Sequence, residues 1–218
     1  EAAELTGAAG LRGRVPNSGT ESKTAGVGLG IVTDDLSFGF SAGLYDTRYG
    51  VPARPGMTHA HDGGAEVEEE APVSIDMRQV RGDFRGVWSP QGSLVDSATL
   101  RLGYANYTHT EFEGAETGTV FNSNGWEGRL ELKQADRGGW RGVTGGQFLS
   151  RDFEAIGAEA FVPANTLNGF GLFTLQEVTM GKLSLEGSVR FDHAAMSTAT
   201  LDRNFNTVSG ALGVAFEF

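Results

Sequence analysis

The residues of this chain best suited to chemistry are its four histidines and a set of carboxylates, and they gather in two main places. The first is Met57-Thr58-His59-Ala60-His61-Asp62-Gly63-Gly64, followed by Glu66, Glu68, Glu69 and Glu70. Imidazole nitrogen suits zinc, copper and nickel, and carboxylate oxygen can complete their coordination shell. His59 and His61 are two residues apart and share one side of an extended chain. This stretch reads equally as a cation-collecting loop or as a solvated acidic loop with incidental imidazoles. The second place is Tyr107, His109, Glu111 and Glu113. The alternation of Leu100, Leu102 and Tyr104 sets a phase that places all four beside Arg101. They either ligate a metal or line a wet surface and pair with arginines; Glu113 reads more as the latter. The candidate metal ligands are His59, His61, Asp62, His109 and Glu111. His193 is in phase with Val189 and Phe191 and reads as an interfacial residue.

Other chemistries fare poorly. Gly26-Val27-Gly28-Leu29-Gly30 is followed by no helical pattern, so nothing opens a phosphate cradle there. No Gly-X-Ser-X-Gly elbow occurs and no nucleophile stands out. Asp34-Asp35 reads as turn chemistry. With no Cys among 218 residues, disulfides, thiolate metal sites and cysteine nucleophiles are excluded. Seventeen Lys and Arg against 28 Asp and Glu give a net charge of −11, which disfavours nucleic acid as a partner. The expectation is a protein without catalytic residues and without a required cofactor.

The elements that position these residues are strands. Period-2 alternation recurs along the chain, and helical periodicity is almost absent. Leu183, Leu185, Val189 and Phe191 alternate with Ser184, Glu186, Ser188, Arg190 and Asp192. Leu36, Phe38 and Phe40 do so with Ser37, Gly39 and Ser41, and Val208, Leu212, Val214 and Phe216 with Thr207, Ala211, Gly213 and Ala215. The pattern predicts about ten strands, near 5–14, 24–33, 36–47, 73–88, 97–113, 119–134, 139–151, 167–180, 182–194 and 205–218. Short turns are expected at 33–35, 89–92, 135–138 and 179–181, and longer loops near 15–23, 48–72, 114–118, 152–166 and 195–204.

No run of about 18 apolar residues exists, but a membrane β-strand needs only about ten alternating ones. In a soluble sandwich the apolar face would turn inward; in a membrane barrel it would meet lipid, with the charged face lining the lumen. Strand length and asymmetric connections favour an antiparallel transmembrane β-barrel, formed by residues 1–218 as a single region. Trp88, Trp126, Trp140 and Tyr104 are expected near strand ends, as an interfacial belt. Lumenal Arg81, Arg85, Arg101, Arg129 and Arg190 alternate with Asp83, Glu127, Glu131, Glu186 and Asp192, and are expected to form cross-strand ion pairs.

Four segments carry a family likeness in their order and spacing. They are Gly43-Leu44-Tyr45-Asp46-Thr47-Arg48-Tyr49-Gly50-Val51-Pro52, Ile75-Asp76-Met77-Arg78-Gln79-Val80-Arg81, Tyr107-Thr108-His109-Thr110-Glu111-Phe112-Glu113-Gly114 and Gly157-Ala158-Glu159-Ala160-Phe161-Val162-Pro163. This succession, over about residues 20–218, resembles the barrel of TonB-dependent outer-membrane receptors, especially the branch associated with zinc uptake. The resemblance implies a bacterial outer-membrane location, contact with lipid, and energised import of a scarce metal ion, metal chelate or cobalamin. It also implies a barrel of about 22 strands around a plug. No plug domain or TonB-contacting segment is seen in this sequence, and its strands make under half of such a barrel. The TonB system would therefore act through a plug absent from this chain, with Zn²⁺ as cargo. Two rival readings remain at this stage: a self-contained small barrel serving as pore or adhesin, and a soluble β-sandwich module.

Overall fold

The computed structural model describes residues 15–52, 71–157 and 160–218. Nine strands form one sheet: β1 (Thr20–Val32), β2 (Leu36–Gly50), β3 (Val73–Trp88), β4 (Val95–Glu113), β5 (Glu116–Gln134), β6 (Trp140–Gly157), β7 (Asn165–Met180), β8 (Leu183–Thr198) and β9 (Asp202–Phe216). Each pairs antiparallel with its sequence neighbour, so the spatial order is the chain order. An odd number of such strands leaves β1 and β9 running the same way. All-antiparallel closure therefore needs at least one further strand between them. The segment expected as a strand near 5–14 lies outside the described residues.

The alternating residues are the reason for the single layer. Directly paired residues share a face, and the register carries one face across all nine strands. The row Ser41, Asp83, Gly103, Glu127, Leu149, Gly169 and Ala194 is one such line. This inward face is concave: a trough of about 930 Å³ reaches across it from Gly28 on β1 to Asp192 on β8. The outward face carries Leu29, Phe40, Leu130, Phe148, Leu172, Val189 and Leu212, all exposed, with Leu212 at 93%. Only Ile75 is a buried apolar side chain among the described residues. A sandwich would bury the Leu185/Val189 row under a second sheet; among the described residues the strands form one sheet with that row exposed, which contradicts the sandwich reading.

The outward face changes character along the strands. Near the end holding turns 33–35, 89–94, 135–139 and 181–182 (the lower end), it is apolar. On β3 the apolar run goes from Trp88 to Val80, about 26 Å along the strand, the order of an outer-membrane barrel's ~25 Å lipid band. Above it the same face turns polar, and side chains join across strands. Thr108 Oγ1 donates to Asn122 Oδ1 at 3.1 Å, and Asn122 Nδ2 donates to Glu154 Oε1 at 3.1 Å. Ser150 donates to Asn168 at 2.7 Å and Thr166 to Asp152 at 2.6 Å.

Several sequence expectations change. Trp88 and Trp140 do sit at the lower strand ends. Tyr104 and Trp126 instead stack in mid-strand, with ring centroids 4.5 Å apart. They mark the upper limit of the apolar band, because the strands continue well above it. The connection expected as a loop near 114–118 is the tight turn Gly114-Ala115, with Gly114 at φ 61°. The register shifts between Glu111 and Phe112, a bulge that breaks the alternation and mimics a loop in sequence. Residues 195–204 likewise narrow to a turn at 199–201, where Thr198 Oγ1 accepts from Leu201 N at 2.9 Å. At the upper end, 51–72 and 158–164 are long connections, while the other two are short.

Gly139 closes the turn before β6 at φ 86°, and its carbonyl accepts from Thr179 N at 2.9 Å. A Cβ there would lie 2.4 Å from the Thr179 carbonyl oxygen, whereas one on Gly181 (φ 60°) would meet nothing within 4 Å. Gly139→Ala is expected to destabilise by more than about 2 kcal/mol and Gly181→Ala by about 1 kcal/mol, read from urea unfolding in detergent.

Candidate lumenal site

Among the sequence-predicted ligands, His59, His61 and Asp62 lie outside the described residues. His109 and Glu111 sit on the upper half of β4, facing inward as the alternation requires. His109 Nε2 is 3.5 Å from Glu111 Oε1, and its Nδ1 is 3.2 Å from the Tyr107 hydroxyl. The imidazole packs against Phe121 at 5.2 Å between centroids and meets the Tyr107 ring edge-on at 6.2 Å. The register places Met77 opposite it on β3. The histidine and the glutamate thus face each other rather than lumenal arginines. Glu113 lies beyond the bulge, opposite Glu116.

The surroundings of His109 hold the most deeply buried side chains among the described residues. Ile75, Thr47 and Thr119 are buried there on the same inward face. Thr47 Oγ1 donates to the Glu21 carbonyl at 3.0 Å and lies 2.6 Å from Ser22 Oγ. Phe121 stacks on toward Phe153 at 6.5 Å. Two donors, one imidazole and one carboxylate, are in place for a cation. Among the described residues no group of three or more histidines and carboxylates is close enough to hold a metal ion. Further ligands would have to come from elsewhere. His193 behaves as an interfacial residue: it faces outward at the upper edge of the apolar band, 5.3 Å from the Phe170 ring, with Nδ1 2.8 Å from Asn206 Oδ1.

Below this cluster the inward face is ionic. The sequence pattern suggested pairs across strands, and the structure has these together with pairs along single strands. Arg81 grips Asp83 two residues on, with Nε 2.8 Å from Oδ2 and Nη2 2.8 Å from Oδ1. Arg190 does the same with Asp192. Across strands, Arg101 reaches Glu131 at 3.1 Å and Arg141 reaches Glu177 at 2.7 Å. Glu131 is shared, because Arg129 on its own strand also bonds it at 2.8 Å while donating to Gln147 at 2.9 Å. Phe173 lies beneath two of these cations, 4.4 Å from the Arg129 guanidinium carbon and 5.8 Å from that of Arg190. By alternation alone the stretches 140–149 and 170–178 can be phased either way, which hides the facing of Phe173. The missing signal was the register, which sets Phe173 opposite Arg190.

No family model matches this sequence. Solved structures do share its fold. The copper transporter OprC superposes with a TM-score of 0.68 at 14% identity, covering 93% of this chain and 35% of its own. The FrpB iron transporter from Neisseria meningitidis gives 0.68 at 12% identity, over 91% and 34%. The ferric citrate transporter FecA gives 0.56 at 12% identity, over 93% and 34%. The chain therefore spans about a third of the length of these structures. Its fold is that of a stretch of their antiparallel β-barrel wall.

Glu131 is the shared partner of two arginines that the register sets directly opposite each other. A double-mutant cycle of Glu131→Gln with Arg101→Gln is expected to give a coupling of about 0.5–1 kcal/mol in urea unfolding, shrinking in high salt.

Proposed function

We propose that this chain forms part of the wall of a bacterial outer-membrane receptor barrel, through which a scarce metal ion or metal chelate is admitted. The observation that carries the reading is the two-sided sheet: an outward apolar band of bilayer height, capped by aromatics, against an inward ionic face. The likeness to barrel walls of copper and iron transporters supports it. Its role in this reading is to bind and pass a ligand, like the transporters whose fold it shares. Zinc is the cargo that the imidazole and carboxylate residues suit, with His109 and Glu111 on the wall and His59, His61 and Asp62 from the sequence that connects β2 to β3. Energised release would come from the TonB system acting through a plug domain, as the resemblance to these receptors implies.

Two measurements test this. Val189 faces outward in mid-band and Ser188 faces inward beside it. In lipid vesicles, Val189→Arg is expected to lower unfolding stability by about 2–4 kcal/mol and Ser188→Arg by well under 1 kcal/mol. Equal effects would reject the membrane orientation. Calorimetric titration of the detergent-folded chain with Zn²⁺ is expected to saturate, and to weaken with His109→Ala and with the pair His59→Ala/His61→Ala. Affinity indifferent to all three replacements would remove zinc binding from the reading.

A further inference from the structure

The outward apolar band is interrupted on β6 and β7. Over most of its width it presents Leu, Val, Ile, Phe, Trp and small residues. On β6 the outward positions are instead Gly142, Thr144 and Gly146, and on β7 they include Thr174 and Gln176. Thr144 is exposed and lies about 13 Å along the strand from Trp140, in one row with Leu132, Thr174 and the mid-band Val189. These polar groups form a seam. Trp140 Nε1 donates to Gln176 Oε1 at 2.9 Å, and Gln176 Nε2 donates to Thr174 Oγ1 at 2.9 Å. The Thr174 and Thr144 hydroxyls lie 2.9 Å apart in a further bond. The seam does not spend all its donors. One N–H of Gln176 and one hydroxyl proton of the threonine pair go to no partner among the described residues. Hydrocarbon offers a hydroxyl or an amide nothing to bond, so within a bilayer such groups turn to protein.

We infer that the outward face of β6 and β7 is an interface at which two copies of this chain meet side by side in the bilayer, about a twofold axis along the membrane normal. A second copy is the occupant because the seam is self-complementary. A hydroxyl both donates and accepts, so Thr144 and Thr174 of one copy bond the same residues of the other; a patch of a single charge sign repels its own image. Gly142 and Gly146 flank Thr144 on the same strand face, so no long side chain at those positions holds the two sheets apart. The size of the face sets the strength of the contact. Four strands, β5 to β8, over a band ~25 Å tall give a flat area of about 500 Å², below the about 800 Å² per partner of a standard stable interface, so the dimer is reversible. The inference rests on the barrel-wall reading above, because only a bilayer denies these polar groups water.

The chain contains no cysteine, so a single introduced one reports its own surroundings. In lipid vesicles, Thr144→Cys chains treated with a bismaleimide spanning about 10 Å, the spacing of face-packed sheets, are expected to run as dimers. A mixture of Val27→Cys and Val208→Cys chains, which mark the open edges β1 and β9, is expected to stay monomeric. Sedimentation equilibrium in detergent is expected to show a reversible dimer, weakened at least tenfold by Thr144→Val combined with Gln176→Leu, because each replacement acts twice across the twofold axis. Phe40→Ala, outward on β2, should leave the dimer unchanged. Crosslinking of the edge pair in place of Thr144→Cys would mean edge-to-edge association and would overturn the inference. A chain monomeric at every lipid ratio, or a dimer indifferent to the double replacement, would do the same. Labelling of Ser188→Cys but not of Leu212→Cys by a water-soluble maleimide reports the membrane orientation separately, so a correctly oriented monomer counts against the interface alone.

Discussion

A slip of one residue in any strand pairing would move guanidinium groups to the outward apolar face and leucines to the inward ionic one. That constraint governs the molecule. With a single layer and almost no buried apolar core among the described residues, its order comes from backbone pairing and, in the proposed membrane orientation, from the different solvents that the two faces require. Every backbone group in the band must be satisfied within the sheet, which long uninterrupted antiparallel ladders achieve. The apolar residues add specificity of phase more than packing. Val189 and Ser188 are adjacent in sequence and fated for opposite environments, and each neighbouring strand repeats that choice.

The inward face has its own logic. Charges in a wet bore interact weakly across distance, so they are organised by short contacts. The i, i+2 pairs Arg81–Asp83, Arg129–Glu131 and Arg190–Asp192 use the strand's own repeat, about 6.6 Å, which a bent arginine readily spans. Such pairs stay intact whatever the neighbouring strand does. Cross-strand contacts such as Arg101–Glu131 and Arg141–Glu177 then join the ladders. Phe173 gives Arg129 and Arg190 a flat surface to lie on, combining apolar cover with cation–π attraction. Arg85 stands outside this scheme, with no ion pair among the described residues.

Strand identity and face were legible in the sequence because alternation is local: Leu183 to Asp192 declares its phase without reference to any other segment. What needed the structure was everything set by neighbours. The stacking of Tyr104 on Trp126 depends on register, and so does the height at which the outward face turns polar. The turn at Gly114-Ala115 was hidden by the bulge opposite Glu111 and Phe112, where Gly118 on β5 is the extra residue. The shared role of Glu131 arises from residues on two strands. For the metal ligands, the facing of His109 and Glu111 followed from alternation. His59, His61 and Asp62 sit in a connection whose composition suggests cation binding but carries no periodic signal to place it.

The upper half of the sheet has a different task from the lower. Above the Tyr104/Trp126 level the outward face is polar, so in the proposed membrane orientation lipid no longer restrains the strands there. A strand pair in water is marginal without something to pack against. The inward cluster of Ile75, Thr47, Thr119, Tyr107, Phe121 and Phe153 supplies that packing on one side. The ladders Thr108–Asn122–Glu154 and Ser150–Asn168 lace the other. His109 and Glu111 project from the middle of this stiffened rim. A histidine and a carboxylate mounted on paired strands keep their mutual geometry, with His109 Nε2 3.5 Å from Glu111 Oε1.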